Sequence, residues 1–246
     1  MRKGFFKKMA AVALAVVTTM TMFTGCGGAG STSASTKSIT IQGGNTEGDL
    51  DPAGVALGMF IQYSRLCLEP LITYDSDGKV GKAMAESYEE SSDGLTWTFH
   101  LRKDAKWSDG SAVTSADFVN TIKRSLDGKT SKSIYADMLS PIVGATEAYA
   151  GTASVDNVGV TAPDDYTIEF KLVKPCSYFL KLIAMQCCYP SKAGIATNEN
   201  ETWYTDPKTN LANGAFYMTE YAPAEASGDI GLTCHSIQYI GVADGM

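Results

Sequence analysis

The side chains that could perform chemistry in this 246-residue sequence are few and scattered. The two histidines are His100 and His235. His100 lies in a strand-like segment, on the side opposite its aromatic residues, where a solvent-facing side chain is expected. No GxSxG, HExxH or GxxxxGK[ST] motif occurs. The acidic pairs Glu89-Glu90 and Asp164-Asp165 lie in turn contexts and are expected to be solvated. The sequence therefore predicts a protein that is not an enzyme and uses no cofactor.

The cysteines offer little support for a metal centre. No CxxC motif occurs, and no cysteine has a paired histidine at ligand spacing, so a zinc site is not expected. Two of them are adjacent in an apolar stretch, which favours buried small side chains. Apart from the cysteine near the N-terminus they form an odd set of five: Cys67, Cys176, Cys187, Cys188 and Cys234.

Residues 1–25 have the pattern of an export signal. Four lysine and arginine residues precede an uncharged, mostly apolar run from Met9 to Phe23. As a helix, this run would be about 22 Å long, whereas a membrane-spanning helix needs about 20 residues. The short run therefore favours a cleavable signal peptide over a permanent membrane span.

The end of this segment, Phe23-Thr24-Gly25-Cys26, resembles the lipobox of bacterial lipoproteins. The resemblance implies that the thiol of Cys26 is lipidated, that Cys26 begins the mature chain, and that the lipid anchors it to a membrane. An ordinary signal peptide with Cys26 near the cleavage point is the alternative. Residues 26–37 would then be the lipidated cysteine and a flexible tether, because 27–37 contains no aromatic or large aliphatic residue.

The charge of the chain excludes one class of partner. The formal net charge is −7, and removal of residues 1–25, which contain four bases and no acids, makes it −11. Nucleic-acid binding requires clustered lysine and arginine, so no nucleic-acid partner is expected.

The rest of the chain alternates between strand and helix patterns, which predicts a mixed α/β or α+β fold without repeats. Leu95–Leu101 alternates strictly, and Asp117 lies where it complements the positive end of a helix dipole. Strands are predicted at 38–42, 72–74, 86–90, 95–101, 158–161, 166–172 and 213–218. Helices are predicted at 55–68, from Thr114 to Gly128, and at 177–185.

The segment DGLTWTFHLRKDAKWSDGSAVTSADFVNTIKR, from Asp93 to Arg124, closely resembles the signature of the oligopeptide and dipeptide solute-binding proteins of ABC importers. The resemblance extends over about residues 39–222. It implies a periplasmic-binding-protein-like type II fold, in which two hinged α/β lobes close over the ligand. Further landmarks occur in family order: Leu50-Asp51-Pro52, Cys67-Leu68-Glu69-Pro70-Leu71, Pro163-Asp164-Asp165-Tyr166-Thr167-Ile168 and Asn213-Gly214-Ala215-Phe216.

The resemblance also implies a ligand site. By position, Asn45, Thr46 and Glu47 match the segment that holds the ligand backbone as an added β-strand. A plain surface loop is the alternative. Tyr135 matches a position that faces the cleft, with a core tyrosine as the alternative. The signature block is expected to determine the fold rather than to bind ligand, because its apolar strand residues face the core.

The implied partners are a peptide ligand and the permease and ATPase subunits of an ABC importer. The protein would be a monomer, anchored to the outer face of the cytoplasmic membrane or periplasmic. Two alternatives stay open. One is a lipoprotein with a structural or adhesive role, and the other is a binding protein for a non-peptide ligand such as a nickel chelate or an oligosaccharide.

The resemblance does not extend to the end of the sequence. Residues 38–223 match the N-terminal part of the family, comprising the first lobe and its inserted subdomain, whereas 224–246 form a divergent tail. The fold is therefore expected to be incomplete, with the second lobe missing. A frameshift or truncated reading frame is the expected cause, and a genuine one-lobe paralogue is the alternative. One lobe supplies about half of the ligand contacts, so weak or absent peptide binding is expected.

Overall fold

The structure is a computed structural model that describes residues 38–43, 50–54, 59–131, 133–200, 202–222 and 230–236. These residues form two antiparallel sheets, a short hairpin and several short helices. In chain order the elements are β1 Ser38–Gly43, α1 Met59–Cys67, β2 Ile72–Tyr74, β3 Val80–Lys82, β4 Ala85–Glu90, β5 Thr96–Leu101, α2 Ser115–Leu126, α3 Ala145–Tyr149, β6 Val160–Asp164, β7 Thr167–Lys171, α4 Phe179–Ile183, β8 Phe216–Ala222 and β9 Ile230–Ser236. Short 3₁₀ helices span Ala136–Leu139, Val155–Asn157 and Gln186–Cys188.

The larger sheet has four strands in the order β4-β5-β7-β6. The predicted alternation of β5 is confirmed, since Trp97, Phe99 and Leu101 are buried and the residues between them are half-exposed. Phe99 meets Phe170 of β7 edge to face, with ring centroids 5.7 Å apart. These aromatic contacts join the inner face of the sheet to the main core.

Helix α2 packs against this sheet. Its apolar residues Phe118, Ile122 and Leu126 are buried at helical spacing, as the sequence predicts. The chain leaves the helix at Gly128, where a Cβ atom would lie 1.8 Å from the carbonyl oxygen of Tyr149. Gly128 therefore permits a close backbone approach. Within the described ranges, no helix combines the length and apolar character needed to cross a bilayer.

The smaller sheet has three strands in the order β1-β9-β8, with both pairs antiparallel. The sequence analysis was wrong to take 213–218 as the last strand, because β9 follows it within the tail. Thr40 of β1 and Glu220 of β8 both pair with Thr233 of β9. The strand that joins β1 to β8 is thus supplied by the segment that departs most from the family pattern.

Several predicted elements have different bounds in the structure, and for two of them the contacts explain the difference. The helix predicted at 177–185 is only Phe179–Ile183, because the backbone at Met185 is extended before a 3₁₀ turn begins. The strand predicted from Asn213 begins at Phe216. Asn213 and Gly214 instead hydrogen-bond to the backbone that follows α1, which removes them from the sheet.

Candidate functional site

Of the predicted site residues, the structure describes only one. Asn45, Thr46, Glu47 and the predicted lipidation site Cys26 lie outside the described residues. Tyr135 is half-buried and packs against the main core at the start of the 3₁₀ helix Ala136–Leu139. This placement is compatible with both interpretations of Tyr135, a cleft residue or a core tyrosine.

The residues that follow the predicted peptide-contact segment are firmly held. Asp51 is buried, and Nη2 of Arg124 on α2 donates hydrogen bonds to both of its carboxylate oxygens. The backbone N–H of Ala53 donates to Oδ1 of Asp51 at 2.9 Å, and that of Gly54 donates to the Asp51 carbonyl at 3.0 Å. A charged pair with this many hydrogen bonds anchors the 50–54 turn to α2.

The loop that leads to Tyr135 is attached to the same end of α2. Ser131 Oγ donates to the carbonyl of Ser125 at 2.7 Å. Asn198 then bridges this region, since its Nδ2 donates to Thr130 Oγ1 at 2.7 Å and to the Arg124 carbonyl at 3.2 Å. The last turn of α2 therefore holds both the 50–54 turn and the loop before Tyr135.

Two neighbours of Tyr135 were not singled out from the sequence. Ile134 is 56% exposed and Met138 is 46% exposed, so apolar side chains flank Tyr135 at the surface. Isolated exposed apolar residues are ordinary, and no periodic pattern in the sequence distinguishes these two. Their proximity to Tyr135 makes them candidate contacts for an apolar group.

The signature block has a structural role, as expected. Asp117 is almost fully buried and accepts four hydrogen bonds through its carboxylate: from Trp107 Nε1 at 2.9 Å, from the Thr114 N–H at 2.9 Å, from Thr114 Oγ1 at 3.4 Å and from the Ala193 N–H at 2.8 Å. This one side chain therefore links the turn before α2, the start of α2 and the 191–193 loop. An inward-facing carboxylate with these partners is a scaffold element.

Two further family landmarks contact each other. Asn213 Oδ1 accepts the backbone N–H of Glu69 at 2.9 Å, and Asn213 Nδ2 donates to the Glu69 carbonyl at 3.1 Å. The N–H of Gly214 donates to the Cys67 carbonyl at 2.9 Å, and a Cβ at Gly214 would lie 2.8 Å from the Cys67 carbonyl carbon. The need for an amide and then a glycine at these positions is thus explained by the approach of two backbones.

The carboxyl group of Glu69 has a shifted pKa. Arg102 Nη2 lies 2.8 Å from Glu69 Oε2. Burial raises the pKa of the Glu69 carboxyl, and the Arg102 guanidinium offsets only part of that rise. Since Arg102 follows β5 and Glu69 follows α1, the pair connects the surroundings of the two sheets.

The described residues contain no group of three or more histidine, cysteine or acidic side chains able to hold a metal ion. His100 lies on the outer side of β5, with Nε2 3.7 Å from Oε1 of Glu89. Cys176, Cys187 and Cys188 are free and buried, and Cys67 is buried. A hydrogen bond with the Cys187 thiol, together with burial, raises the pKa of the Cys188 thiol, which suppresses thiolate chemistry.

The chain is similar in sequence to bacterial solute-binding proteins. The model described as "Bacterial extracellular solute-binding proteins, family 5 Middle" matches residues 79–227. The periplasmic oligopeptide-binding protein OppA of Escherichia coli is 36% identical over 199 residues, which cover 80% of this chain and 36% of that protein. The dipeptide-binding protein DppE of Bacillus subtilis is 36% identical over 63% of this chain and 28% of its own length.

Solved structures agree with the sequence relatives. The substrate-binding domain of an oligopeptide ABC transporter from Bacillus anthracis is 36% identical, with a TM-score of 0.65 over 69% of this chain and 33% of that one. Listeria monocytogenes OppA bound to peptide is 29% identical, with a TM-score of 0.64 over 73% of this chain and 34% of that one.

The mixed α/β architecture therefore corresponds to part of a periplasmic-binding-protein-like fold. The chain spans about a third of the length of these relatives. The family match over 79–227 and the identities to its peptide-binding members lead to one assignment. The chain belongs to family 5 of the bacterial extracellular solute-binding proteins.

Proposed function

We propose that this chain contributes the peptide-binding component of an ABC import system. The observation that carries the proposal is its similarity to oligopeptide- and dipeptide-binding proteins, one of which has a solved structure with bound peptide. The chain spans about a third of those proteins, and its role in import is part of this proposal.

The proposed mode of binding uses the end of α2 as a fixed base. Asn45, Thr46 and Glu47 would contact the peptide backbone as an added strand. Tyr135 would contact it from the loop after α2. The Asp51–Arg124 pair supports this arrangement, because it holds the turn that follows the first segment to the helix that leads into the second. Exposed backbone groups recognise any peptide, so this mode predicts broad specificity.

We further propose that the protein is exported and anchored through a lipid on Cys26, with its partners being the permease and ATPase of the importer. The support is the sequence pattern of residues 1–26 and the extracytoplasmic location stated in the names of several relatives. Replacement Cys26→Ala is expected to move the protein from the membrane fraction to the soluble fraction and to abolish incorporation of labelled fatty acid. Continued membrane retention of the C26A variant would contradict the anchor.

A non-peptide ligand is the second candidate. The probable deoxycholate-binding periplasmic protein YgiS of Escherichia coli is 33% identical over 72% of this chain, so the family extends beyond peptides. A lipoprotein with a structural or adhesive role is less supported, because the relatives named above are binding proteins.

Calorimetry on the 246-residue chain separates these candidates. We expect tri- to pentapeptides to bind this chain with affinities weaker than micromolar, because it spans about a third of the length of its peptide-binding relatives and would supply a corresponding part of their ligand contacts. Tyr135→Ala should weaken that binding further, whereas Tyr178→Ala, which removes an exposed tyrosine elsewhere, should not. Deoxycholate binding without peptide binding would overturn the peptide assignment. Micromolar or tighter peptide binding would contradict the weak affinity.

A further inference from the structure

The segment that follows β7 runs along the surface with one side in the core. Leu172, Phe179 and Leu182 are buried. Two other residues of the same segment expose large apolar side chains, since Val173 is 65% exposed and Tyr178 is 53% exposed. Val173 has the highest exposure of any large apolar side chain in the described residues. The core therefore fixes one side of the segment, while the other side presents apolar groups to solvent.

A neighbouring stretch of chain extends this surface. Ile142 forms an antiparallel bridge with Leu172, and both side chains are buried. The N–H of Val143 donates to the Lys171 carbonyl at 2.9 Å, which places these two residues opposite each other beside the bridge. Because side chains alternate between the two sides of extended backbone, Val143, Lys171 and Val173 point away from the core. All three are exposed.

The charges of this surface differ from those of the whole chain, whose formal net charge is −7. Residues 171–181 contain no acidic residue and three exposed lysines: Lys171, Lys174 and Lys181. The N–H of Lys181 donates to the Tyr178 carbonyl at 2.9 Å, so these side chains lie one helical turn apart on the same side of the chain. We call Val143 and the exposed residues of 171–181 the 171–181 face.

Acidic side chains neutralise only part of this positive charge. Lys171 Nζ lies 3.5 Å from Glu169 Oε1, which accounts for one lysine. Glu90 approaches the face near Pro175, since both lie within 3.5 Å of the position of a Cβ at Gly94. Within the part of the chain that the structure describes, Lys174 and Lys181 have no carboxylate oxygen within 4.0 Å. Their charges are therefore available to an anionic partner.

We propose that the 171–181 face docks onto an anionic lipid membrane. Lysines close to an anionic leaflet strengthen binding, and tyrosine is suited to the boundary between headgroups and acyl chains. Val143 and Val173 add apolar area to the same contact. An isologous contact with a second copy would instead bring the same lysines together, which is unfavourable. Because the chain as a whole is acidic, this face would determine how the protein is oriented on the membrane.

This docking rests on the proposed lipid anchor, which would keep the chain close to a membrane. Two lysines and three apolar side chains make a weak contact by themselves. A tether raises the effective concentration of the membrane at the face, so a weak contact becomes populated. The docking is a property of residues 143 and 171–181, and it is separate from the predicted contacts with peptide.

Lysine footprinting tests the orientation without lipidation. The full chain, with an N-terminal histidine tag, would be tethered to vesicles that contain a nickel-chelating lipid and either phosphatidylglycerol or phosphatidylcholine. Mass spectrometry would then follow the acetylation of each lysine. Lys174 and Lys181 should react about threefold more slowly on phosphatidylglycerol than on phosphatidylcholine. Lys103 should react equally on both, because it lies over the Tyr166 ring, at the opposite end of the four-stranded sheet from Lys171.

Variants of exposed residues identify the groups responsible. Lys174→Gln should at least halve the protection of Lys181 on phosphatidylglycerol, because it removes one of the two available charges. Val173→Ser should reduce the protection of both lysines, since it removes apolar area without a change in charge. Lys103→Gln is the control, because it changes the net charge as K174Q does and should leave the protection of Lys174 and Lys181 unchanged.

Three results would overturn the proposal. Equal acetylation of Lys174 and Lys181 on the two kinds of vesicle would exclude docking on anionic lipid. Equal slowing of Lys103 on phosphatidylglycerol would show a general electrostatic effect with no preferred face. Slowing of Lys174 and Lys181 in solution, without vesicles and with rising protein concentration, would show that a second copy covers the face. Since the tag replaces the lipid as the tether, each of these outcomes is distinct from a failure of the Cys26 anchor.

Discussion

The two sheets of this protein are assembled in contrasting ways. The four-stranded sheet is built from β4 with β5 and from β6 with β7, pairs that are close together in the chain, and its inner face is filled by contacting aromatic rings. The three-stranded sheet joins β1, near the start of the described residues, to β9, near their end. The first sheet can form from local hairpins, whereas the second requires closure of a loop of nearly the whole chain.

This difference implies that the two sheets need not be equally stable. The four-stranded sheet is supported by α2 and by the Asp117 network, all from residues 85–193. The three-stranded sheet depends on β9, which lies between two strands that have no direct pairing with each other. A substitution that breaks the Asp117 hydrogen bonds should therefore destabilise the whole lobe, and a substitution in β9 should destabilise only the three-stranded sheet.

The largest expected effect is that of Asp117→Ala. The substitution leaves Trp107 Nε1 and the N–H groups of Thr114 and Ala193 without their buried acceptor. Each unpaired buried donor costs about 1–3 kcal/mol, so we expect a loss of about 4 kcal/mol in the free energy of unfolding, measured by urea denaturation. Asp104→Ala is the control, because the Asp104 side chain is 78% exposed. A loss below about 1 kcal/mol for D117A would show that the Asp117 hydrogen bonds do not stabilise this region.

Next in size is Thr233→Pro in the centre of β9. Proline lacks the N–H and disturbs pairing with β1 and β8, which should cost about 3 kcal/mol. Thr233→Ala is the matched control, since it retains the backbone donor. Hydrogen exchange should show lost protection in Ser38–Gly43 and in β8, while β5 and β7 stay protected. If all four strands lose protection together, the two sheets form one cooperative unit and the contrast between them fails.

The contrast also explains what the sequence alone could predict. Strand alternation in Leu95–Leu101 and the apolar spacing of α2 are local patterns, and both predictions are confirmed. The pairing of β9 with β1 depends on residues almost 200 positions apart, and no local pattern indicates it. The sequence analysis consequently treated the tail only as divergent.

For the candidate site, too, the sequence predicted some residues but not the contacts between distant parts of the chain. The resemblance named Tyr135 as a possible ligand contact, and its role stays a prediction. It did not reveal that Arg124 binds Asp51 or that the end of α2 holds both the 50–54 turn and the loop before Tyr135. The Asp51–Arg124 contact joins residues 73 positions apart and places a buried charge inside a helix pattern, so spacing rules do not detect it. The exposure of Ile134 and Met138 likewise follows from tertiary packing.

A smaller effect is expected for Gly128→Ala, at the exit of α2. The new Cβ would meet the Tyr149 carbonyl oxygen and the Gly151 N–H, both backbone groups that cannot rotate away. We expect a loss of about 2 kcal/mol in the free energy of unfolding. Gly110→Ala is the comparison, because its φ of +86° is unfavourable for alanine although the space around it is open. That variant should lose about 1 kcal/mol. A larger loss for G110A than for G128A would show that conformation outweighs backbone crowding here.

The smallest effect concerns pH at the link between the two sheets. Burial raises the pKa of Glu69 above its ordinary value, so the folded state holds a proton that the unfolded state releases. Its contribution to stability is therefore fully present below about pH 4, the ordinary pKa of glutamate, and is lost as pH rises through the folded pKa. Glu69→Gln should remove this decline when unfolding free energies at pH 4 and pH 7 are compared with those of the wild type.

Asp93 provides the opposite case, because hydrogen bonds from Ser91 and the Leu95 N–H lower its pKa. Asp93→Asn should instead remove a component that grows with rising pH. If both variants change the pH dependence in the same direction, burial is not what governs Glu69, and the Arg102 pair dominates the link.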